Sequence, residues 1–119
     1  MSHGERDLGR LLNDLKPSLA QERYAFENSN NPLLAADAFA LVREEEALTV
    51  IRVSATGQWA RISLGVDSSL EAVGLTAAFS RALADSGISA NVIAALHHDH
   101  IFVPWNRRYE ALSVLQSLV

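Results

Sequence analysis

Trp59-Ala60-Arg61-Ile62-Ser63-Leu64-Gly65-Val66-Asp67-Ser68-Ser69-Leu70-Glu71 joins an alternating segment to a helix-start signal. Ile62, Leu64 and Val66 alternate with Arg61, Ser63 and Gly65, the period-two pattern of a half-buried strand. That strand runs straight into Ser68 and Glu71, spaced as in a capping box, where each side chain satisfies a backbone donor left free at a helix N-terminus. Ala72, Leu75, Phe79 and Leu83 then fall on one helical face, with Glu71, Gly74, Arg81 and Asp85 on the other. Ser86-Gly87 stops the helix, because glycine tolerates the left-handed turn that follows one. Downstream, Asn91 to Leu96 reads as a buried strand, His97-His98-Asp99-His100 as a short polar turn, and Ile101-Phe102-Val103 as the next strand. Pro104-Trp105 closes that strand, and Asn106 is placed to cap a last helix carrying Leu112, Leu115 and Val119.

Upstream of this stretch, Leu8, Leu11, Leu12 and Leu15 recur at helical spacing, and Pro17 ends the helix by pushing its predecessor toward extended geometry. Arg23-Tyr24-Ala25-Phe26 is a short strand, and Asn28-Ser29-Asn30-Asn31-Pro32 a loop by composition. Phe39 to Arg43 and Leu48 to Val53 read as two strands joined through Glu44-Glu45-Glu46, where like charges favour a solvated turn. Ala55-Thr56-Gly57-Gln58 separates this half from the next.

Composition narrows the function classes. The chain has 119 residues, enough for one compact domain or two very small sub-domains sharing a core. Net charge is -4 and the arginines are scattered, so the basic surface that nucleic acid requires is not expected. Without cysteine there is no disulfide framework and no thiolate ligand or nucleophile. The first residues lack a signal-peptide pattern, and no apolar run approaches the roughly 20 residues of a membrane span, so a soluble cytoplasmic protein is expected.

Glu71-Ala72-Val73-Gly74-Leu75-Thr76, followed by Arg81 to Ile93 with Ser86-Gly87-Ile88 at its centre, is similar to the helix and second strand of an ACT domain, the regulatory module that binds amino acids. The run His98-Asp99-His100-Ile101-Phe102-Val103-Pro104-Trp105 resembles a signature of a small bacterial group of ACT proteins. The resemblance extends from about Trp59 to Val119. It implies an α+β, ferredoxin-like ACT sandwich, an antiparallel sheet packed with helices, to which the N-terminal half adds strands and a helix. The expected organisation is a partial ACT-like half over residues 1–56 and a βαββα half over 57–119. The second half lacks the closing strand of the fold, and the strand around Tyr24 is expected to stand in its place, since an open edge of unpaired amides invites aggregation. Both faces of Thr49 to Val53, Val92 to Leu96 and Ile101 to Val103 are apolar, so either the N-terminal helix or another subunit is expected to cover the second sheet face. ACT domains commonly pair, which implies a homodimer.

The strand-to-helix loop is the first place for chemistry. Free amides and the positive end of the helix dipole seat a carboxylate, and Asp67 or Glu71 can receive an ammonium group. Gly74 permits close approach, and Asn91 can bond either end. The resemblance points to the same loop, giving Asp67, Ser68, Ser69, Glu71, Gly74, Leu75, Asn91 and His98 as expected ligand-binding residues. The alternative is that Ser68 and Glu71 only cap the helix. The histidine run carries the ligand types for zinc, yet on a strand its members alternate sides, so a polar hairpin with Asp99 in the turn is the better account. In a further variant, His98 or His100 reaches the ligand and makes binding depend on pH. No nucleophile elbow, phosphate loop or dinucleotide fingerprint occurs, so neither catalysis nor a cofactor is expected. Two functions follow: a sensor of an amino-acid-like ligand acting on a separate protein partner, or an oligomerisation module of the same fold without a ligand.

Overall fold

The computed structural model describes residues 4–31 and 34–118. In chain order the elements are α1 (Leu8–Asn13), β1 (Pro17–Ser29), a 3-10 turn (Leu34–Asp37), β2 (Ala40–Arg43), β3 (Leu48–Val53), β4 (Trp59–Leu64), α2 (Leu75–Asp85), β5 (Asn91–Ala94), β6 (Asp99–Pro104), a second 3-10 turn (Trp105–Arg107) and α3 (Arg108–Gln116). The strands form one antiparallel sheet in the order β2-β3-β1-β4-β6-β5. The result is the expected α+β, ferredoxin-like sandwich. None of the described helices is long and apolar enough to cross a membrane.

The strand around Tyr24 is the largest departure from the sequence reading. It spans 13 residues rather than four, and it begins at Pro17, a first-strand position where a missing amide costs no ladder bond. It pairs with β4, Tyr24 opposite Trp59, and at the same time with β3, Tyr24 opposite Val53. β1 therefore lies inside the sheet, between β3 and β4, and is not an edge.

Alternation in β4 sets the layers. Ala60, Ile62 and Leu64 point into a core with Leu11 and Leu15 near α1, Leu75, Phe79 and Leu83 of α2, Ile101 and Val103 of β6, and Ala111 and Leu115 of α3. Burial of this apolar surface is the main stabilising term. Because Leu11 and Leu15 belong to this core, α1 does not cover the second sheet face. That face carries Tyr24, Ile51 and Phe102, with Phe39, Trp59 and Ile93 packed against them. Phe39 meets Tyr24, Phe102 and the His100 ring edge to face at centroid separations of 5.9, 5.7 and 4.9 Å, geometry that suits the aromatic quadrupole. Phe26, Val42 and Val53 remain exposed.

Several boundaries move. α2 begins at Leu75, with no helix at Ser68 and Glu71. The strand read over Asn91 to Leu96 ends at Ala94, and Ala95 to His98 make the hairpin turn, closed by the Ala95 amide donating to the His98 carbonyl at 3.1 Å. Asp99 is not in that turn; it is buried in β6, opposite Ala94. Asn106 lies inside the second 3-10 turn and caps nothing, since α3 starts two residues later without a side-chain cap. Pro32 and Val119 lie outside the described residues.

Candidate ligand-binding loop

The segment from Val66 to Gly74 leaves β4 beside the chain that enters β1. The Gly65 amide donates to the Lys16 carbonyl at 3.0 Å and the Val66 amide to Leu15 at 3.3 Å. Beyond Val66 the N-terminal segment lies against the loop. The Glu5 amide donates to the Asp67 carbonyl at 2.8 Å, and the Ser69 amide donates to the Glu5 carbonyl at 2.9 Å, forming a parallel bridge between Glu5 and Ser68. Gly4 makes this approach possible: at φ +85, an added Cβ would stand 2.6 Å from the Ser68 carbonyl carbon.

These contacts explain the absent capping box. The Ser69 amide is taken by Glu5, and the Ser69 hydroxyl accepts from the Glu71 amide at 3.1 Å, a local turn that competes with helix. Gly74 then adopts φ +100, and the helix starts behind it. Its first helical bond runs from the Ala78 amide to the Gly74 carbonyl, which leaves Leu75, Thr76 and Ala77 at the dipole's positive end without intrahelical acceptors.

Two clefts flank the loop. The larger, about 510 Å³, is lined by Glu5, Arg10, Asn13, Asp14, Val66 and Asp67. The smaller, about 70 Å³, lies at the start of α2 between Ser68, Ser69, Leu70, Ala72, Leu75, Thr76, Ala94 and Asp99. Desolvation pushes the Asp99 carboxyl above the usual carboxylate range, partly countered by the charge of His98. Glu5 is held low by the Asp7 and Arg6 amides, which its carboxylate accepts at 3.0 and 2.9 Å.

The expected ligand residues divide among these places. Asp67 lines the larger cleft, and Ser68, Ser69 and Leu75 line the smaller. Glu71 is exposed and pairs with Arg6 at 3.6 Å, while Gly74 backs onto the Leu8 side chain. The His98 Nδ1 donates to the Val66 carbonyl at 3.2 Å, at the root of the loop. Asn91 is an exposed residue at the start of β5 and lines neither cleft. His100 bonds Ser63 on the second sheet face through Nδ1, 2.7 Å away, so His98 and His100 serve different parts of the molecule. Glu5, Arg10, Asn13, Asp14 and Asp99 were not among the expected residues. The first four reach the loop through contacts some 60 positions distant, for which no local pattern exists; Asp99 stood in the histidine run and was read as a turn residue.

Comparison with known proteins places this geometry in context. A family model described as ACT domain matches residues 54–117, and a second of the same description matches residues 3–62. No curated protein sequence matches the chain. A Vibrio cholerae protein of unknown function, described as a possible transport protein, is 38% identical with a TM-score of 0.79, over 91% of this chain and 93% of that one. An Agrobacterium tumefaciens protein is 17% identical with a TM-score of 0.66, over 85% and 86% of the two chains. The ligand-free regulatory subunit of aspartate kinase from Thermus thermophilus is 10% identical with a TM-score of 0.67, over 89% and 98%. At these last two identities the likeness is one of fold.

Proposed function

The chain belongs to the ACT-domain family, and from that membership we propose that it is a regulatory module which binds an amino-acid-like ligand beside the loop Val66 to Leu75 and has no catalysis of its own. The observation that carries this reading is the larger cleft. Asp67 and Arg10 line it together, Asp67 able to receive an ammonium group and Arg10, in an exposed pair with Glu5 at 3.7 Å, a carboxylate in exchange for that partner. Its volume of about 510 Å³ lies within the roughly 300–1,000 Å³ usual for small-molecule sites. The smaller cleft, about 70 Å³, has room for a headgroup at most.

A ligand that binds one arrangement of the protein better than another shifts the balance between them. The output of this switch is read by a second copy of the chain and by a protein partner. The exposed Phe26, Val42 and Val53 on the second sheet face support pairing into a homodimer. One fold neighbour is itself named as a regulatory subunit, of aspartate kinase.

A thermal-shift screen of the common amino acids tests the reading. One or a few of them raise the melting temperature of the wild-type protein, as binding to the folded state alone requires, and the Asp67→Asn variant does not respond to them. If no amino acid shifts it at millimolar concentration, the second reading takes its place: an oligomerisation module without a ligand. The Glu5 carbonyl favours that alternative, since it already occupies the Ser69 amide.

A further inference from the structure

Trp105 stands where β6 has ended and α3 has not begun, and two clefts open on it. One, about 320 Å³, is shared with Arg23, Gln58 and Asn106; the other, about 340 Å³, with Gln21, Arg108 and Tyr109. The Arg23 guanidinium carbon lies 4.7 Å from the Trp105 ring centroid and that of Arg108 3.7 Å. Two cations thus share one indole.

Their charges are unanswered. Arg6, Arg10, Lys16, Arg52, Arg81 and Arg107 each have a carboxylate partner, whereas among the described residues Arg23, Arg43, Arg61 and Arg108 have none; of these four, Arg23 and Arg108 line clefts in which no acidic residue stands. Backbone carbonyls fix one nitrogen of each: Arg23 Nε donates to Gly57 at 2.7 Å, and an Arg108 η-nitrogen to Trp105 at 2.8 Å. Among the described residues the remaining N–H groups of each fork have no other hydrogen-bond partner. Arg108 also sits at the first position of α3, where the dipole adds positive potential. Neighbouring Arg107 is neutralised by Glu110 at 2.7 Å; Arg108 is not. The register of β1 breaks between Leu19 and Arg23 beside this place, an irregularity of the kind that re-aims side chains at functional sites.

We propose that Arg23, Trp105 and Arg108 form a second ligand site, separate from the loop Val66 to Leu75, that takes a small molecule bearing an oxyanion. Either arginine fork matches a carboxylate or a phosphate, and Gln21, Gln58, Asn106 and Tyr109 supply neutral hydrogen-bonding groups around it. The proposal stands whether or not an amino acid binds at the other loop.

The test follows the Trp105 indole N–H by NMR, with Trp59→Phe to assign the two indole signals, during titration with inorganic phosphate, with succinate, and with sodium chloride at matched ionic strength. The expected result is a saturable shift of Trp105, and not of Trp59, with phosphate, succinate or both; the responding arm names the oxyanion. The glutamine substitution of the arginine that lines the occupied cleft, Arg108→Gln or Arg23→Gln, weakens the response about tenfold or more, the effect of losing a charge-assisted contact. Should either variant fail to fold, Arg108→Lys takes its place, keeping the charge, losing the fork and binding more weakly. No shift beyond that of chloride up to about 10 mM, the weak end of specific affinity, or an unchanged response in the glutamine variants, would overturn the proposal.

Discussion

Gly4→Ala tests whether the N-terminal segment is fastened to the loop. At φ +85 an L-residue is strained by about 1–2 kcal/mol. The new Cβ would also meet the Ser68 carbonyl carbon at 2.6 Å, the Ser69 nitrogen at 2.7 Å and the Asp67 oxygen at 2.8 Å. All three are backbone atoms, so no rotamer relieves the contact and the segment must lift. Lifting gives up the Glu5–Asp67 and Ser69–Glu5 hydrogen bonds, each contributing about 0.5–1.5 kcal/mol, hence about 1–3 kcal/mol together. The Arg6–Glu71 pair is exposed and adds little. Because lifting is always available as an escape, the loss of stability is capped at about 1–3 kcal/mol and the sheet stays intact. Urea unfolding measures that loss, and hydrogen exchange locates it: the Ser69 amide exchanges roughly 5- to 150-fold faster, the factor equivalent to 1–3 kcal/mol. If Ser69 keeps its wild-type protection relative to the β4 amides, the segment is not held as described.

Other perturbations address the rest of the structure. Gly57→Ala places a Cβ 2.2 Å from the Tyr24 carbonyl oxygen in the middle of β1; its cost in urea unfolding is expected at or above the upper end of the roughly 1–3 kcal/mol typical of overpacking. Asp99 has a raised folded pKa, so the native state holds its proton more tightly than the unfolded chain. Its stabilising contribution is therefore complete below the ordinary value of 3.8 and is lost as pH rises through the folded value. Asp99→Asn should accordingly be more stable than wild type at pH 7, with the advantage shrinking as pH falls in parallel urea titrations. His100 titrates in the opposite sense. Burial, Arg61 and His98 lower its folded pKa, so stability is fully present above 6.5 and falls as pH drops from there through the folded value. His100→Gln should flatten that part of the stability profile.

The parts of the fold legible in the sequence were those with a local period. β3 begins and ends where the pattern predicts, β4 alternates as read, and Leu75, Phe79 and Leu83 form the buried face of α2. The reading of Ser68 and Glu71 missed because a capping box competes with any other acceptor for the same amides. Here the Glu71 amide goes to the Ser69 hydroxyl, and the segment around it is bridged to Glu5, more than 60 residues earlier in the chain. β1 was under-read for a related reason. Its residues Ser18 to Glu22 show no clean alternation, and the register break between Leu19 and Arg23 is held by pairing to β4, not by propensity. Of the loop residues, Asp67, Ser68, Ser69 and Leu75 line its two clefts, since chain order alone keeps them together. Arg10 and Asn91 show the limit: one arrives at the loop and the other leaves it through sheet and helix packing that no short motif encodes.

We propose above that the loop from Val66 to Leu75 holds an amino-acid-like ligand. Amide NMR of the wild-type protein, titrated with each common amino acid, measures this directly. At least one is expected to produce saturable shifts centred on Val66 to Ser69 and on Arg10, and Asp67→Asn to remove them while leaving the remaining spectrum in place. Saturable shifts that centre elsewhere, or no shifts with any amino acid at millimolar concentration, would contradict it.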